Sequence, residues 1–224
     1  MTPARQPATS LTEPVEDYLK AVYELELAGD AAATTTLAQR LGVAPASVSG
    51  MVRRLAEQGY VAHERYRGVR LTDRGRRAAL RTLRRHRVIE AYLATALGYA
   101  WDRVHAEAER LEHAASDELI DRMAAALGEP TVDPHGAPIP TREGAVDETR
   151  HATLADLAPG AAARVVRVAD DDSEMLRYLA ELRIRPGATV RVVSRAPFGG
   201  PVSLEIDGRA CAIGPALAEA VRVG

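Results

Sequence analysis

A mainly α-helical chain with a small β portion is the fold class that three patterns predict: a winged helix-turn-helix, a pair of long helices and a C-terminal SH3-like β-barrel. Apolar residues recur at three- and four-residue spacing through most of the chain before Gly128, which is the helical signature. A Pro/Gly-rich stretch then interrupts the periodicity. From about Leu154 short alternating runs follow, separated by turns at Gly199-Gly200 and Asp207-Gly208. With 224 residues, 46% of them hydrophobic and 27% charged, the chain has material for two or three compact globular units.

The first helix is expected from about Val15 to Leu27, where Leu19, Val22, Tyr23 and Leu27 share a face, and it ends at Gly29-Asp30. A short helix from about Thr36 to Leu41 is stopped by Gly42. A third runs from about Pro45 to Gln58, with proline near its start and Gly59 after its end. Two helices joined by a glycine-containing turn make a helix-turn-helix. Tyr60 to Thr72 gives two short β-prone runs around Arg67-Gly68, a wing. Helix is expected again from Asp73 to about Leu97 and, after Gly98-Tyr-Ala, from about Asp102 to Leu127 as one long element. Antiparallel helices so joined commonly pack together and form dimer interfaces. Gly128 to about His151 reads as a linker. Strands are expected at Ala163–Val168, Thr189–Ser194, Val202–Ile206 and Arg209–Ile213, with a helix at about Ser173–Leu182. The single cysteine, Cys211, lies in an alternating apolar run and reads as a core residue of a protein in a reducing compartment. The absence of a signal-type or transmembrane-length apolar run places the chain in the cytoplasm, with no membrane partner.

The formal net charge of −2 conceals an uneven distribution. Between Arg40 and Arg87 thirteen arginines face only Glu57, Glu64 and Asp73, an excess of ten positive charges over the helix-turn-helix and wing. That is the footprint expected of a polyanion-binding module, and on a helix-turn-helix and wing the expected partner is double-stranded DNA. The second helix of such a motif presents its first turns to base edges. Here those turns offer the hydroxyls of Ser47 and Ser49 among Ala44, Ala46 and Gly50, with no side chain suited to bidentate base contacts. Thr35, Arg53, Arg54, Arg67 and Arg70 complete the candidate DNA-binding set, the arginines placed to meet phosphates.

His105, Glu109, Glu112 and His113 fall within roughly a 100° arc if the segment is helical. His86 and Glu90 share a face of the preceding helix at i, i+4, and Asp17 adds a carboxylate from the first helix. Oxygen and imidazole donors without thiolate suit manganese(II) or iron(II) better than structural zinc. Ordinary salt-bridging surface residues are the alternative reading of that spacing.

The segments Glu16–Glu26, Arg85–Glu90, Val104–His113 with Ser116-Asp-Glu118, and Gly136-Ala-Pro-Ile-Pro140, in this order, resemble the diphtheria-toxin-repressor family over nearly the whole chain. The resemblance implies a winged helix-turn-helix domain (1–73), a helical metal-binding and dimerisation domain (74–140), a linker (141–150) and an SH3-like domain (151–224). By motif it assigns Asp17, Glu109, Glu112 and His113 to a primary regulatory metal site, and His86, Glu90 and His105 to an ancillary one. In three-domain members the SH3-like domain adds ligands, here expected near Asp172 and Met175, with Met175 a weak substitute for an amide or carboxylate. Asp17 and Glu109 stand where the iron-responsive branch carries methionine and cysteine, and so look like the manganese-responsive branch. Lys20 stands where that branch usually has a second carboxylate, so its two-metal cluster does not carry over intact.

The function these readings imply is a homodimeric repressor that binds a palindromic operator when manganese(II), or next iron(II), is bound. The alternatives are an iron-dependent repressor of the same family and a winged-helix regulator sensing an organic ligand. A metalloenzyme is disfavoured because the sequence has no Gly-rich phosphate loop, nucleophile elbow or HExxH pattern. The arginine excess makes a prediction. Operator affinity measured by anisotropy should fall steeply with salt, each neutralised phosphate adding about −0.9 to the log–log slope, and Arg54→Ala should weaken binding to all sequences alike. A flat salt dependence would contradict it.

Overall fold

The structure is a computed structural model that describes residues 11–64 and 68–224. The chain divides into two compact units, Met1–Leu83 and Arg84–Gly224.

In the first unit, α1 spans Glu13–Ala28, with a proline in its first turn and Glu13 and Glu16 at its positive end. It stops at Gly29, whose φ of 86° lets its N–H turn back to the last carbonyls. Helices α2 (Thr34–Leu41) and α3 (Pro45–Glu57) form the helix-turn-helix around Gly42, also left-handed. Leu37, Val48 and Leu55 bury their side chains, as do Leu19, Val22 and Tyr23 of α1. Strands β1 (Val61–Glu64) and β2 (Gly68–Leu71) pair antiparallel as the wing. The wing is tied to the helices from both sides: Leu71 N–H donates to Glu26 Oε1 at 2.7 Å, and Val69 N–H donates to the Ala32 carbonyl at 3.2 Å. Gly68 has a φ of 82°, and any Cβ there would strike the Ala32 carbonyl, so the turn residue expected at this point is a steric requirement. Arg65 and Arg67 lie outside the described residues. Helix α4 (Asp73–Thr95) starts where the Thr72 hydroxyl accepts from Gly75 N–H.

In the second unit, α5 (Val104–Leu111) and α6 (Asp117–Ala126) replace the single long helix expected over Asp102–Leu127. The break is a capping event. Ser116 leaves helical geometry, its hydroxyl accepts from Leu119 N–H at 3.2 Å, and Asp117 and Glu118 occupy the next first turn. The apolar periodicity is continuous across this point, which is why periodicity alone merged the two. Val88, Ile89, Leu93, Val104, Ala108, Ile120, Ala124 and Ile139 form the helical core.

The Pro/Gly-rich stretch read as a linker is anchored over its first part. Val132 and Pro138 form a β-bridge, Asp133 Oδ1 accepts from the N–H groups of His135 and Ala137, and Arg87 donates to the Pro138 carbonyl at 2.6 Å. Beyond it lies a six-stranded antiparallel sheet of order β3-β8-β4-β5-β6-β7. Its strands are β3 (Ala152–Thr153), β4 (Ala162–Val168), β5 (Thr189–Arg195), β6 (Val202–Ile206), β7 (Arg209–Ile213) and β8 (Val221–Val223), with α7 (Ser173–Glu181) and α8 (Pro215–Ala220) between them. This is the expected SH3-like domain, enlarged by β3, α8 and β8, which are too short to show a period. Cys211 on β7 is half-buried against its core.

Trp101, from the connection before α5, is buried in the core of the SH3-like domain with Val168, Leu176 and Ile184. His135 Nε2–H donates to the Trp101 carbonyl at 2.8 Å, and Val168 N–H donates to the His135 carbonyl at 2.9 Å. The loop around His135 is thereby clamped between the helices and β4. Gly136 has a φ of 88°, and a Cβ there would overlap the Val166 carbonyl. Gly136→Ala should therefore cost about 1–3 kcal/mol, seen as a lowered urea midpoint and loosened packing around Trp101 in its fluorescence. An unchanged midpoint would show that this contact does not clamp the loop.

Candidate metal centre

Helix α4 presents His86 and Glu90 on one face, and both are buried, Glu90 completely. One ring nitrogen of His86 serves each of two donor groups. Nδ1 contacts Glu112 Oε2 in a close hydrogen bond and lies 3.5 Å from Glu109 Oε1. Nε2 lies 3.1 Å from Glu90 Oε1 and 3.1 Å from His105 Nδ1. His105 is also 3.3 Å from Glu90 Oε1, and His113 Nε2 is 3.5 Å from Glu112 Oε1. Glu112, the C-terminal cap of α5, has no exposed surface. The structure thus brings His86, Glu90, His105, Glu109, Glu112 and His113 into one neighbourhood. Asp17 lies half-buried on α1 in the other unit.

A second group was not expected in full. Glu90, Asp133, His135 and Asp170 place one ligand atom each within 4.8 Å of one another. His135 Nδ1 is 3.7 Å from Glu90 Oε1 and 4.0 Å from Asp170 Oδ2, and Arg87 Nε is 3.8 Å from Asp133 Oδ2. Donors on opposite sides of a cation at 2.0–2.6 Å are about 4–5 Å apart, so the spread suits a single ion. Glu90 Oε2, Asp133 Oδ2 and His135 Nδ1 are buried without a hydrogen-bond partner, while Glu90 Oε1 faces the His86 and His105 rings. Carboxylates left this way are costly unless something cationic meets them. The donor chemistry, three carboxylates and an imidazole whose other nitrogen is already engaged, fits a divalent cation.

The charges inside this group push in opposite directions. Burial pushes the Asp133 carboxyl up to about 7, the negative charges of Glu90 and Asp170 push the same way, and Arg87 and His135 oppose them. Burial would also raise Glu90, but the contacts from His105 and His86 and the charges of His86 and His135 outweigh it and hold Glu90 well below the usual carboxylate range. His105 is raised: burial opposes this, yet its contact with Glu90 and the charge of Asp170 prevail over burial and the like charge of His86.

Asp172, expected as a ligand from the SH3-like domain, caps α7 with one carboxylate oxygen, its Oδ1 accepting from Glu174 and Met175 N–H at 2.9 and 3.0 Å. Met175 lies against the core of that domain. Asp170, two residues earlier, is the aspartate that faces His135. Asp133 and His135 were missed because they lie in an aperiodic segment. The available signal was a histidine in a proline-rich turn of a chain with six histidines in all. On the DNA-binding side, Thr35, Ser47, Ser49, Arg53, Arg54 and Arg70 are all exposed. Ser49 Oγ donates to the Pro45 carbonyl at 3.2 Å, Arg53 pairs with Glu57 at 3.0 Å, and Arg54 donates to the Met51 thioether at 3.3 Å with no carboxylate partner among the described residues. Arg67 lies outside the described residues.

Sequence profiles for three domains match in order: the iron dependent repressor N-terminal DNA binding domain over residues 10–69, the iron dependent repressor metal binding and dimerisation domain over 72–141, and the FeoA domain over 152–224. The iron-dependent repressor IdeR of Mycobacterium tuberculosis (strain ATCC 25618 / H37Rv) is 31% identical over 88% of this chain and 90% of its own length. The diphtheria toxin repressor of Corynebacterium diphtheriae is 30% identical over 95% of this chain and 97% of its own. A manganese-dependent transcriptional repressor solved in complex with manganese superimposes with a TM-score of 0.89 at 43% identity, over 93% of this chain and 98% of that one.

The raised Asp133 makes a prediction with a definite sign. Below about pH 7 this carboxyl holds a proton that a cation must displace, and above it the carboxylate is free to ligate. Manganese affinity at the Glu90 group, followed by quenching of the single tryptophan beside His135, should be about tenfold weaker at pH 6 than at pH 8, with a proton released on binding at the lower pH. Affinity independent of pH across that window would contradict the assignment.

Proposed function

The chain belongs to the iron-dependent repressor family, and from that membership we propose that it is a homodimeric transcriptional repressor of metal homeostasis genes, activated by manganese(II) and next best by iron(II). It acts in the cytoplasm on a palindromic operator. The observation that carries this reading is the donor set: neighbouring carboxylate and imidazole donors, with Glu90, Glu112, Asp133 and His135 buried and no sulfur among them. Hard oxygen donors suit manganese(II), while the soft donors of the iron-responsive branch are absent.

In this reading Glu109, Glu112 and His113 hold the regulatory cation, with Asp17 added on the strength of the family resemblance. The ancillary ligands that the resemblance assigns, His86, Glu90 and His105, hold a second together with Asp133, His135 and Asp170, which meet at Glu90. When bound, the cations supply positive charge that neutralises the clustered carboxylates. The chain does the rest. Ordering of these side chains favours the DNA-competent arrangement, so that metal affinity and operator affinity rise together. Large apolar side chains left exposed at Leu97, Tyr99, Leu111 and Leu119 support a homodimer built on the helical domain. Thr35, Ser47 and Ser49 with Arg53, Arg54, Arg67 and Arg70 meet the operator. Iron(II) as the natural activator is the second reading, favoured by the relatives named for iron.

The test is operator binding titrated with manganese(II) and with anaerobic iron(II), for the parent and for Asp17→Met combined with Glu109→Cys. The parent should respond to manganese at least as well as to iron, and the double variant should shift toward iron. A parent that responds only to iron, or without any metal, defeats the manganese assignment.

A further inference from the structure

We propose that Glu26 is a positioning residue for DNA binding: its carboxylate holds the wing at the reach from which Arg70 meets a phosphate. The inference rests on the reading that the first unit binds DNA. Strands β1 and β2 form a two-stranded sheet, so the outer edge of β2 has no third strand to satisfy it. Two alternate N–H groups on that edge are nevertheless met. Val69 donates to the Ala32 carbonyl at 3.2 Å, and Leu71 donates to Glu26 Oε1 at 2.7 Å. A parallel bridge joins Ala32 to Gly68, but the chain enters α2 at Thr34 and does not follow β2 further. The side chain of Glu26 supplies the acceptor that a longer strand would have.

Nothing local favours a carboxylate at this position. Helix α1 carries Glu24 and Glu26 near its C-terminal end, with no basic residue in its last turn, so both face the negative pole of the helix. Burial pushes the Glu26 carboxyl up, and Glu64 on β1 adds to the rise, against the Leu71 hydrogen bond and the charges of Arg70 on β2 and Arg76 on α4. Tertiary contacts account for both carboxylates. Glu24 accepts from Arg40 of α2 at 2.6 Å, and Glu26 accepts from β2, so one rigid helix brackets the helix-turn-helix and the wing. Holding the Leu71 N–H fixes the peptide plane between Arg70 and Leu71. Leu71 is buried and Arg70, its neighbour on the strand, is exposed on the opposite face, so the same hydrogen bond sets where the guanidinium starts.

The test uses the full chain with saturating manganese(II) and operator duplex, with anisotropy read across a salt series. Glu26→Leu keeps helix propensity and apolar packing but removes the acceptor. It should weaken binding about fivefold or more and make the log–log salt slope shallower by about 0.9, the share of one phosphate. Glu26→Gln restores an acceptor oxygen at the same reach and should rescue both quantities. In an Arg70→Ala background, where that phosphate contact is already gone, Glu26→Leu should change the slope no further. Without DNA, deuterium exchange of the Leu71 amide followed by NMR should quicken about tenfold or more in Glu26→Leu and not in Glu26→Gln. If Glu26→Leu does not fold, Glu26→Ala, the strongest helix former with nothing to bury, gives the same readings. An unaltered slope or an indifferent Leu71 amide in the acceptor-free variant would overturn the proposal, as would a slope change that adds to that of Arg70→Ala or a failure of Glu26→Gln to rescue. A parent that binds no duplex would instead remove the DNA-binding reading itself, and the role of Arg70 with it.

Discussion

The concentration of carboxylates around His86 and Glu90 is the constraint on which the rest of the second unit depends. Glu90 and Glu112 have no solvent-exposed surface, and Asp133 has almost none. Buried charge of one sign must be neutralised by protons, by fixed cations or by a bound ion. The chain uses the first two in part: Asp133 tends to keep its proton to about 7, and Arg87 is held near it by the Pro138 carbonyl. What remains is an unsatisfied set of oxygen and nitrogen atoms that only assembles when α4, the loop at 131–140 and the segment after β4 are all in place. Folding and metal affinity are therefore linked, since a cation that binds only the assembled set stabilises the assembly.

Much of this architecture was legible in the sequence because it is local. The spacing of Leu19, Val22 and Tyr23, the glycines after α1 and α2, and the alternation in β6 and β7 each act within a few residues, and the elements appear where those signals lie. His86 with Glu90 is likewise a single-turn relation. Where the reading departed from the structure, tertiary contacts or capping decided. The break between α5 and α6 depends on the Ser116 hydroxyl, which competes with an uninterrupted apolar stripe. Asp133 and His135 have no period to reveal them, and their approach to Glu90 is set by Arg87, Trp101 and the close passage of Gly136 over β4. In the run of three aspartates from Asp170, one faces the cluster and another caps a helix. Only the path of the backbone distinguishes them.

The donor chemistry also explains how a regulator can discriminate among cations whose intrinsic affinities run against it. Raw affinity favours copper and zinc over manganese, so selectivity has to come from donor type, number and geometry. A set without sulfur, with many carboxylates and with imidazoles oriented by main-chain or side-chain partners, moves the balance toward a harder ion. His135 is the clearest example: its Nε2–H is committed to the Trp101 carbonyl, so the free nitrogen and the ring plane are both set before any ligand arrives. Trp101 itself is part of the SH3-like core, which makes that domain a structural support of the proposed metal centre as well as the source of Asp170.

The central claim is that these buried side chains are two cation sites, one of them completed by the SH3-like domain. The most direct measurement is an anomalous difference map at the manganese absorption edge from crystals of the full chain grown with manganese(II). The account predicts one peak enclosed by Glu90, Asp133, His135 and Asp170 and a separate peak at Glu109, Glu112 and His113 beside His86. A map with no peak between Glu90 and Asp170 at full occupancy of the other site would contradict it.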